Sequence, residues 1–396
     1  MREYRLAITA AVIAIGALGG CSENSAPTEP GRDVAREEAS EEILTVDHLV
    51  PHVSTNPANA GEPVQLFLRE RVKAGLAEPV GVVLALGGRR NPAGTGYDLP
   101  FEDYSWMAYL ARAGFDVFAL DLQGYGFSTR PKMDDPCNTS PADQQFLIPN
   151  PLPAPCPPSY PFIFTTMEAT WAEIDAAVEF IKSLRGVERV SFIGFGLGGQ
   201  RAGGYAARHG DKVDKLFLYA GSYNRSQPSD PPAHPPLPGV PTGIDTRERL
   251  YRDWDANVGC PHQFDPAARE AVWRTTLSYD PVGSTWGTEG VSRFPVGIEW
   301  GWNQEFARMV VAPTLMIGGE LDLQVPPAQL RALYEDIGSA DRVLVQVACA
   351  GQQMVWEYQR FVLFNASLQW LRDGSYHGAQ RGEFWVSPQG DIHRVN

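Results

Sequence analysis

Residues 190–199 constrain this chain most. Val190-Ser191-Phe192-Ile193 is a short apolar run, and Gly194-Phe195-Gly196-Leu197-Gly198-Gly199 follows it directly, leading into a helical stretch through Ala207. A buried strand that turns through glycines straight into a helix is a building unit of parallel sheets covered by helices. The rest of the chain keeps that alternation. Its patterning predicts an early antiparallel strand over 64–71 and strands over 82–86, 115–120, 213–219, 314–317 and 343–347. It predicts helices over 104–113, 167–184, 326–337 and 355–371. Such an order specifies an α/β fold with a mostly parallel central sheet and helices on both faces. Two stretches break the rhythm. Residues 131–161 carry ten prolines and read as an irregular surface excursion. Residues 221–308 begin Pro-rich and then hold Trp254, Trp273, Trp286, Trp300 and Trp302, half of the ten tryptophans, which suits an inserted cap. The core is therefore expected over 44–220 and 309–375, with a C-terminal tail over 376–396.

The glycine turn also resembles a dinucleotide fingerprint, a Gly-rich loop that cradles phosphate at a helix N-terminus. That reading lacks its partner: no acidic residue ends a strand about 20 positions on. No cofactor and no metal are expected. The net charge of −14 repels nucleic acid, and no basic cluster longer than Arg89-Arg90 offsets it.

The N-terminus reads as an export signal. Arg2 and Arg5 precede an apolar run over 6–18, about 13 residues long and too short to span a bilayer. It ends Leu18-Gly19-Gly20-Cys21, which resembles a bacterial lipobox and implies lipidation at Cys21. Residues 1–21 are then a signal peptide and 22–43 a polar tether. The mature chain is expected outside the cytoplasm, held to the cell envelope by its lipid alone. Export permits disulfides. Cys137 and Cys156 flank the Pro-rich excursion and are the expected pair, worth about 3 kcal/mol by loop-closure entropy. Cys260 and Cys349 are too far apart in sequence to be paired from it.

The strand-turn-helix, the run Asp121-Leu122-Gln123-Gly124-Tyr125-Gly126-Phe127-Ser128 and the late segments together resemble the α/β-hydrolase superfamily, over roughly residues 44–372. The Cys137-Asn138 and Cys156 to Tyr160-Pro161 insertion looks like that of its secreted bacterial members. In that family the strand-to-helix turn is G-x-S-x-G and presents the nucleophile. Here Gly194 and Gly198 match the flanks, and Gly196 stands at the serine position. The acid position matches: Gly318-Gly319-Glu320-Leu321-Asp322 with Val325-Pro326 resembles the family's G-x-x-D-x-x-V-P, so Asp322 takes the acid's place. The histidine position departs from the pattern, with Gln352 on the loop after the last core strand and all seven histidines elsewhere. Gly87-Gly88-Arg89-Arg90 replaces the usual oxyanion His-Gly, though backbone N–H groups there serve without a particular side chain. Arg89 either adds charge to that hole or faces solvent with Arg90.

Gly196 has no oxygen for attack, and a glutamine amide does not take up and return a proton near neutral pH. Hydrolysis by the serine triad is therefore not expected. Three readings remain open: a non-hydrolytic enzyme of lyase, isomerase or cyclase type, a binding or surface-recognition protein by analogy with neuroligins, and a hydrolase with a relocated nucleophile such as Cys349. The Trp-rich cap points to a hydrophobic small-molecule ligand, held among Gly87, Gly88, Arg89, Tyr125, Leu197 and Cys349.

Overall fold

The computed structural model describes residues 42–231 and 235–396. The expected signal peptide, Cys21 and nearly all of the tether lie outside the described residues. Ten strands form one sheet: β1 (Ile43–Val53), β2 (Pro63–Lys73), β3 (Val82–Leu86), β4 (Asp116–Asp121), β5 (Val190–Phe195), β6 (Val213–Tyr219), β9 (Thr314–Gly319), β10 (Arg342–Val347), β11 (Gly382–Val386) and β12 (Ile392–Arg394). Two more, β7 (Thr242–Asp245) and β8 (Ser292–Pro295), make an antiparallel ribbon apart from it. The order across the large sheet is β1-β2-β4-β3-β5-β6-β9-β10-β11-β12. From β4 to β11 every neighbouring pair is parallel, and β1, β2 and β12 close the ends antiparallel.

The central strands β3, β4 and β5 are buried along their whole length, which is why they read as unbroken apolar runs rather than as alternations. Helices cover both faces. On one, Trp106 of the helix Trp106–Arg112 stacks on Phe364 of the helix Arg360–Asp373 and donates its indole N–H to Ser367 Oγ at 2.8 Å. On the other, Tyr205 of the helix Leu197–Arg208 donates to Asp175 of the helix Met167–Arg185 at 2.8 Å. That long helix starts at Thr166, whose hydroxyl accepts from the Ala169 N–H, and stops at Gly186 in the left-handed conformation.

Residues 376–396 are not a tail. They supply β11 and β12, and β11 covers the edge that β10 would otherwise expose. The Pro-rich excursion is also more ordered than its composition suggests. Pro136 and Pro141 each open a short helical turn, where a missing N–H costs nothing. Leu147 and Leu152 are buried against Ile244, Trp286 and Val291 of the inserted segment. Cys137 and Cys156 form the expected disulfide.

The insertion between β6 and β9 carries the β7–β8 ribbon and the helices Arg247–Asp255 and Pro266–Ser278. It packs on the loops that follow β3 and β10: Trp254 lies 5.6 Å from Trp356, ring centre to ring centre, and the Trp356 indole donates to the Thr95 carbonyl at 3.2 Å. All five tryptophans of this segment are buried. They are the packing of the cap.

Candidate functional site

Strand β5 ends at Phe195 and the helix begins at Leu197, so the whole reversal falls on Gly196, at φ 56° and ψ −118°. Side chains rarely adopt this conformation, and it tips the residue out of the sheet's carboxyl edge. A Cβ on Gly198 would collide with the Leu86 carbonyl, so glycine there lets the helix settle against the end of β3. The Gly196 carbonyl accepts from Gly199 N–H at 3.0 Å and from Ser222 N–H at 2.9 Å, and the Gly196 N–H donates to Tyr219 O at 3.1 Å. These bonds hold the turn between β5 and β6.

A Cβ built on Gly196 would point at two groups. The end of the Gln352 amide is 3.3 Å away and the Gly88 Cα is 3.9 Å away. The other end of that amide is its nitrogen, which donates to Asp322 Oδ1 at 2.8 Å and to Oδ2. Gly196, Gln352 and Asp322 are therefore neighbours in that order, though they lie on three separate loops. Asp322 Oδ1 also accepts from the Gln324 and Val325 N–H groups, each at 2.8 Å. Burial pushes the Asp322 carboxyl up to about 7, with those two N–H groups opposing the shift.

The Gln352 loop is fixed from below by residues the sequence reading did not single out. Tyr219 donates its hydroxyl to the Gln352 carbonyl at 2.5 Å. Glu357 accepts from Gly351 N–H at 3.0 Å and from Gln263 at 3.1 Å. Burial, opposed by these bonds, pushes Glu357 up to about 7, and the Asp322 charge adds to it.

A cavity of about 280 Å³ opens over the turn. Gly88, Arg89, Gly196, Leu197 and Gln352 line it, together with Phe195, Leu250, Val325 and Trp356 as apolar wall and Asp245 and Asp253 from the cap. Leu197 is the first residue of its helix and lines the cavity, so its N–H has no partner within the helix. Neither arginine is a free charge in this cavity. Arg89 pairs with Glu299, and Arg90 pairs with Asp253 at 2.5 Å.

Three expected binding residues play other parts. Tyr125 donates to the Arg89 carbonyl at 2.7 Å and accepts from Arg201 at 3.1 Å, so it braces the loop after β3 from behind. Gly87 does the same through its carbonyl, which accepts from Arg201 at 3.1 Å. Cys349 is joined to Cys260 in a disulfide, which removes it as a nucleophile. Nor do the cap tryptophans form the cavity wall; Trp356, from the loop after β10, is the one tryptophan there. No histidine lines the cavity, and no cluster of three His, Cys, Asp or Glu among the described residues is placed to hold a metal.

Comparisons with known proteins agree with this architecture. Among solved structures, a serine hydrolase involved in carbazole degradation superimposes over 83% of this chain and 99% of its own, with a TM-score of 0.50 at 18% identity. A serine hydrolase from the polyaromatic-hydrocarbon-degrading bacterium Cycloclasticus zankles covers 83% and 99%, at 13% identity and a TM-score of 0.49. A thermophilic esterase from Thermogutta terrifontis covers 82% and 98%, at 19% identity and a TM-score of 0.48. No curated protein matches the chain. The profile of the α/β hydrolase fold matches residues 86–355, more than half the sequence, and with the sheet order and the turn at Gly196 it follows that this chain belongs to the α/β-hydrolase fold family.

Proposed function

We propose that this chain is a triad-deficient α/β-hydrolase-fold protein that binds a small molecule in the cavity above Gly196 and does not hydrolyse it by serine chemistry. One observation carries the reading. The three positions that should hold nucleophile, base and acid are adjacent, and they hold a glycine, an amide and a carboxylate. Attack needs an oxygen and a base that takes its proton. Gly196 brings no oxygen, and the Gln352 amide holds Asp322 without titrating near neutral pH. What persists is the cavity, its apolar wall and the backbone N–H groups near Leu197, which suits binding and leaves room for a non-hydrolytic reaction such as elimination or isomerisation. The apolar wall favours a ligand with a hydrophobic body. Export and a lipid anchor at Cys21 complete the proposal and place binding at the cell envelope.

The test is native mass spectrometry of the purified protein followed by extraction of small molecules. The expected result is a retained ligand or a stabilising probe that is lost in Leu250→Trp, which fills the cavity. A cavity that takes up no small molecule in either protein would overturn the reading.

A second reading is favoured by the family itself and by Ser222, which lines the cavity and whose backbone N–H donates to the Gly196 carbonyl at 2.9 Å. In that reading Ser222 is a relocated nucleophile. It requires labelling by a fluorophosphonate probe that disappears in Ser222→Ala.

A further inference from the structure

The polar wall of the cavity falls into two groups. The charged residues neutralise one another. Arg89 pairs with Glu299, and Arg90 pairs with Asp253 at 2.5 Å and stands 3.8 Å from Asp245. Arg252 pairs with Asp253 as well, at 3.1 Å. Arg249, whose charge also acts on Asp245, pairs with Asp143 at 2.7 Å. Asp322 lies behind the Gln352 amide and is not part of the wall. Cations and carboxylates around the cavity thus balance.

The uncharged residues are not matched in this way. Gln353 lines the cavity yet is only 5% exposed. Its Oε1 is shut off from water and has no hydrogen-bond partner, and its Nε2 donates to no described group. A buried amide without a hydrogen bond has given up water for nothing in return. Next to it in the chain, Gln352 donates to Asp322 and turns its oxygen toward the space above Gly196. Donation to a carboxylate polarises the amide and makes that oxygen a stronger acceptor. The Leu197 N–H, unpartnered within its helix, adds a donor to the same wall.

We infer that the cavity selects an uncharged ligand bearing a hydroxyl group and that Gln353 is a specificity-determining residue for it, with the ligand's apolar body along Leu250 and Trp356. The inference rests on the binding reading above and adds the ligand's chemical class to it. A hydroxyl both donates and accepts, so one group answers the Gln352 oxygen and the Gln353 amide. An ammonium group only donates and a carboxylate only accepts. Each would also give up its hydration at a wall whose charges are already paired. A volume of about 280 Å³ admits a small alcohol rather than a folded partner.

The experiment compares benzyl alcohol, toluene, benzylammonium and benzoate binding to the full chain at pH 7.5 and fixed ionic strength by titration calorimetry. Benzyl alcohol is expected to bind about tenfold or more tighter than either ion. Gln353→Leu, which keeps the bulk and removes the amide, should weaken benzyl alcohol about fivefold, the usual worth of a neutral hydrogen bond, and leave toluene within about twofold. The comparison of alcohol with ions is made on the native chain, so it stands should Gln353→Leu fail to fold. Either ion binding as tightly as the alcohol, or an alcohol affinity unchanged in Gln353→Leu, overturns the inference alone. Failure of all four probes to bind overturns both it and the binding reading.

Discussion

A side chain at position 196 would have somewhere to go: its Cβ would meet the Gln352 amide end at 3.3 Å and otherwise only Gly88. A side chain there needs the Gln352 amide to give by a few tenths of an ångström, but it meets no backbone closer than Gly88, so the turn is not filled. Asp322, at the position proposed for the acid, accepts instead from the Gln352 amide. Deep burial leaves a second mark on the carboxylates. Glu173 accepts from Asn56 at 2.5 Å and from Gln123 at 2.8 and 2.9 Å, yet burial pushes it up to about 7. Asp322 and Glu357 are raised to about 7 as well. An acid raised in this way holds its proton more tightly when folded. Its contribution to stability is full below the unfolded value near 4 and is lost as pH rises through 7. His52, lowered by burial, works in the opposite direction but is a single, half-buried group. Unfolding stability should therefore fall by on the order of several kcal/mol between pH 5 and pH 8, because each of the three carboxyls loses stabilisation over about two pH units of that window. Denaturant titration across that range should show the fall, and Glu173→Gln should flatten the slope whatever it does to the absolute value. A stability that rises over the same range would contradict the assignment.

At the scale of elements, the cap and the Gln352 loop are tied together covalently. Cys260 lies beyond the helix Arg247–Asp255, and Cys349 lies three residues before Gln352, so their disulfide anchors the loop to the cap across a separation of 89 residues. Closing a loop of that length should stabilise the chain by about 4–5 kcal/mol by the entropy estimate, more than the 19-residue Cys137–Cys156 loop at about 3 kcal/mol. The double variant Cys260→Ser/Cys349→Ser should accordingly lose more thermal stability than Cys137→Ser/Cys156→Ser, and iodoacetamide should label neither cysteine in the native oxidised protein. This link also shows where sequence reading stops. The elbow at Gly194–Gly198, the Asp322 turn and Gln352 were legible because each is local: a strand, a turn and a helix in a row. The Cys260–Cys349 pair, the Arg90–Asp253 pair and the Tyr219–Gln352 and Gln263–Glu357 supports were not, because they join segments 89, 163, 133 and 94 residues apart through tertiary packing with no local signature. The segment of β11 and β12 reads as a tail because only Phe384-Trp385-Val386 forms an apolar run there, among Gly, Pro and polar residues. The cap tryptophans pointed to the wrong surface, since a large apolar side chain serves a core as well as a ligand wall, and Trp254 and Trp302 are fully buried in the core.

Taken as a whole molecule, the chain keeps the α/β-hydrolase architecture, with its parallel sheet, glycine turn and roofed cavity, and the proposed reading is that the chemistry of attack is missing from the place where that architecture delivers it. The most direct measurement compares p-nitrophenyl acetate turnover by the native chain with that of Gly196→Ser/Gln352→His, which returns an oxygen and an imidazole to positions whose neighbours are already in place. The account predicts no turnover above background in the native chain and a gain of about 10³-fold or more in the double variant. Robust turnover by the native chain, unchanged in the double variant, would contradict it.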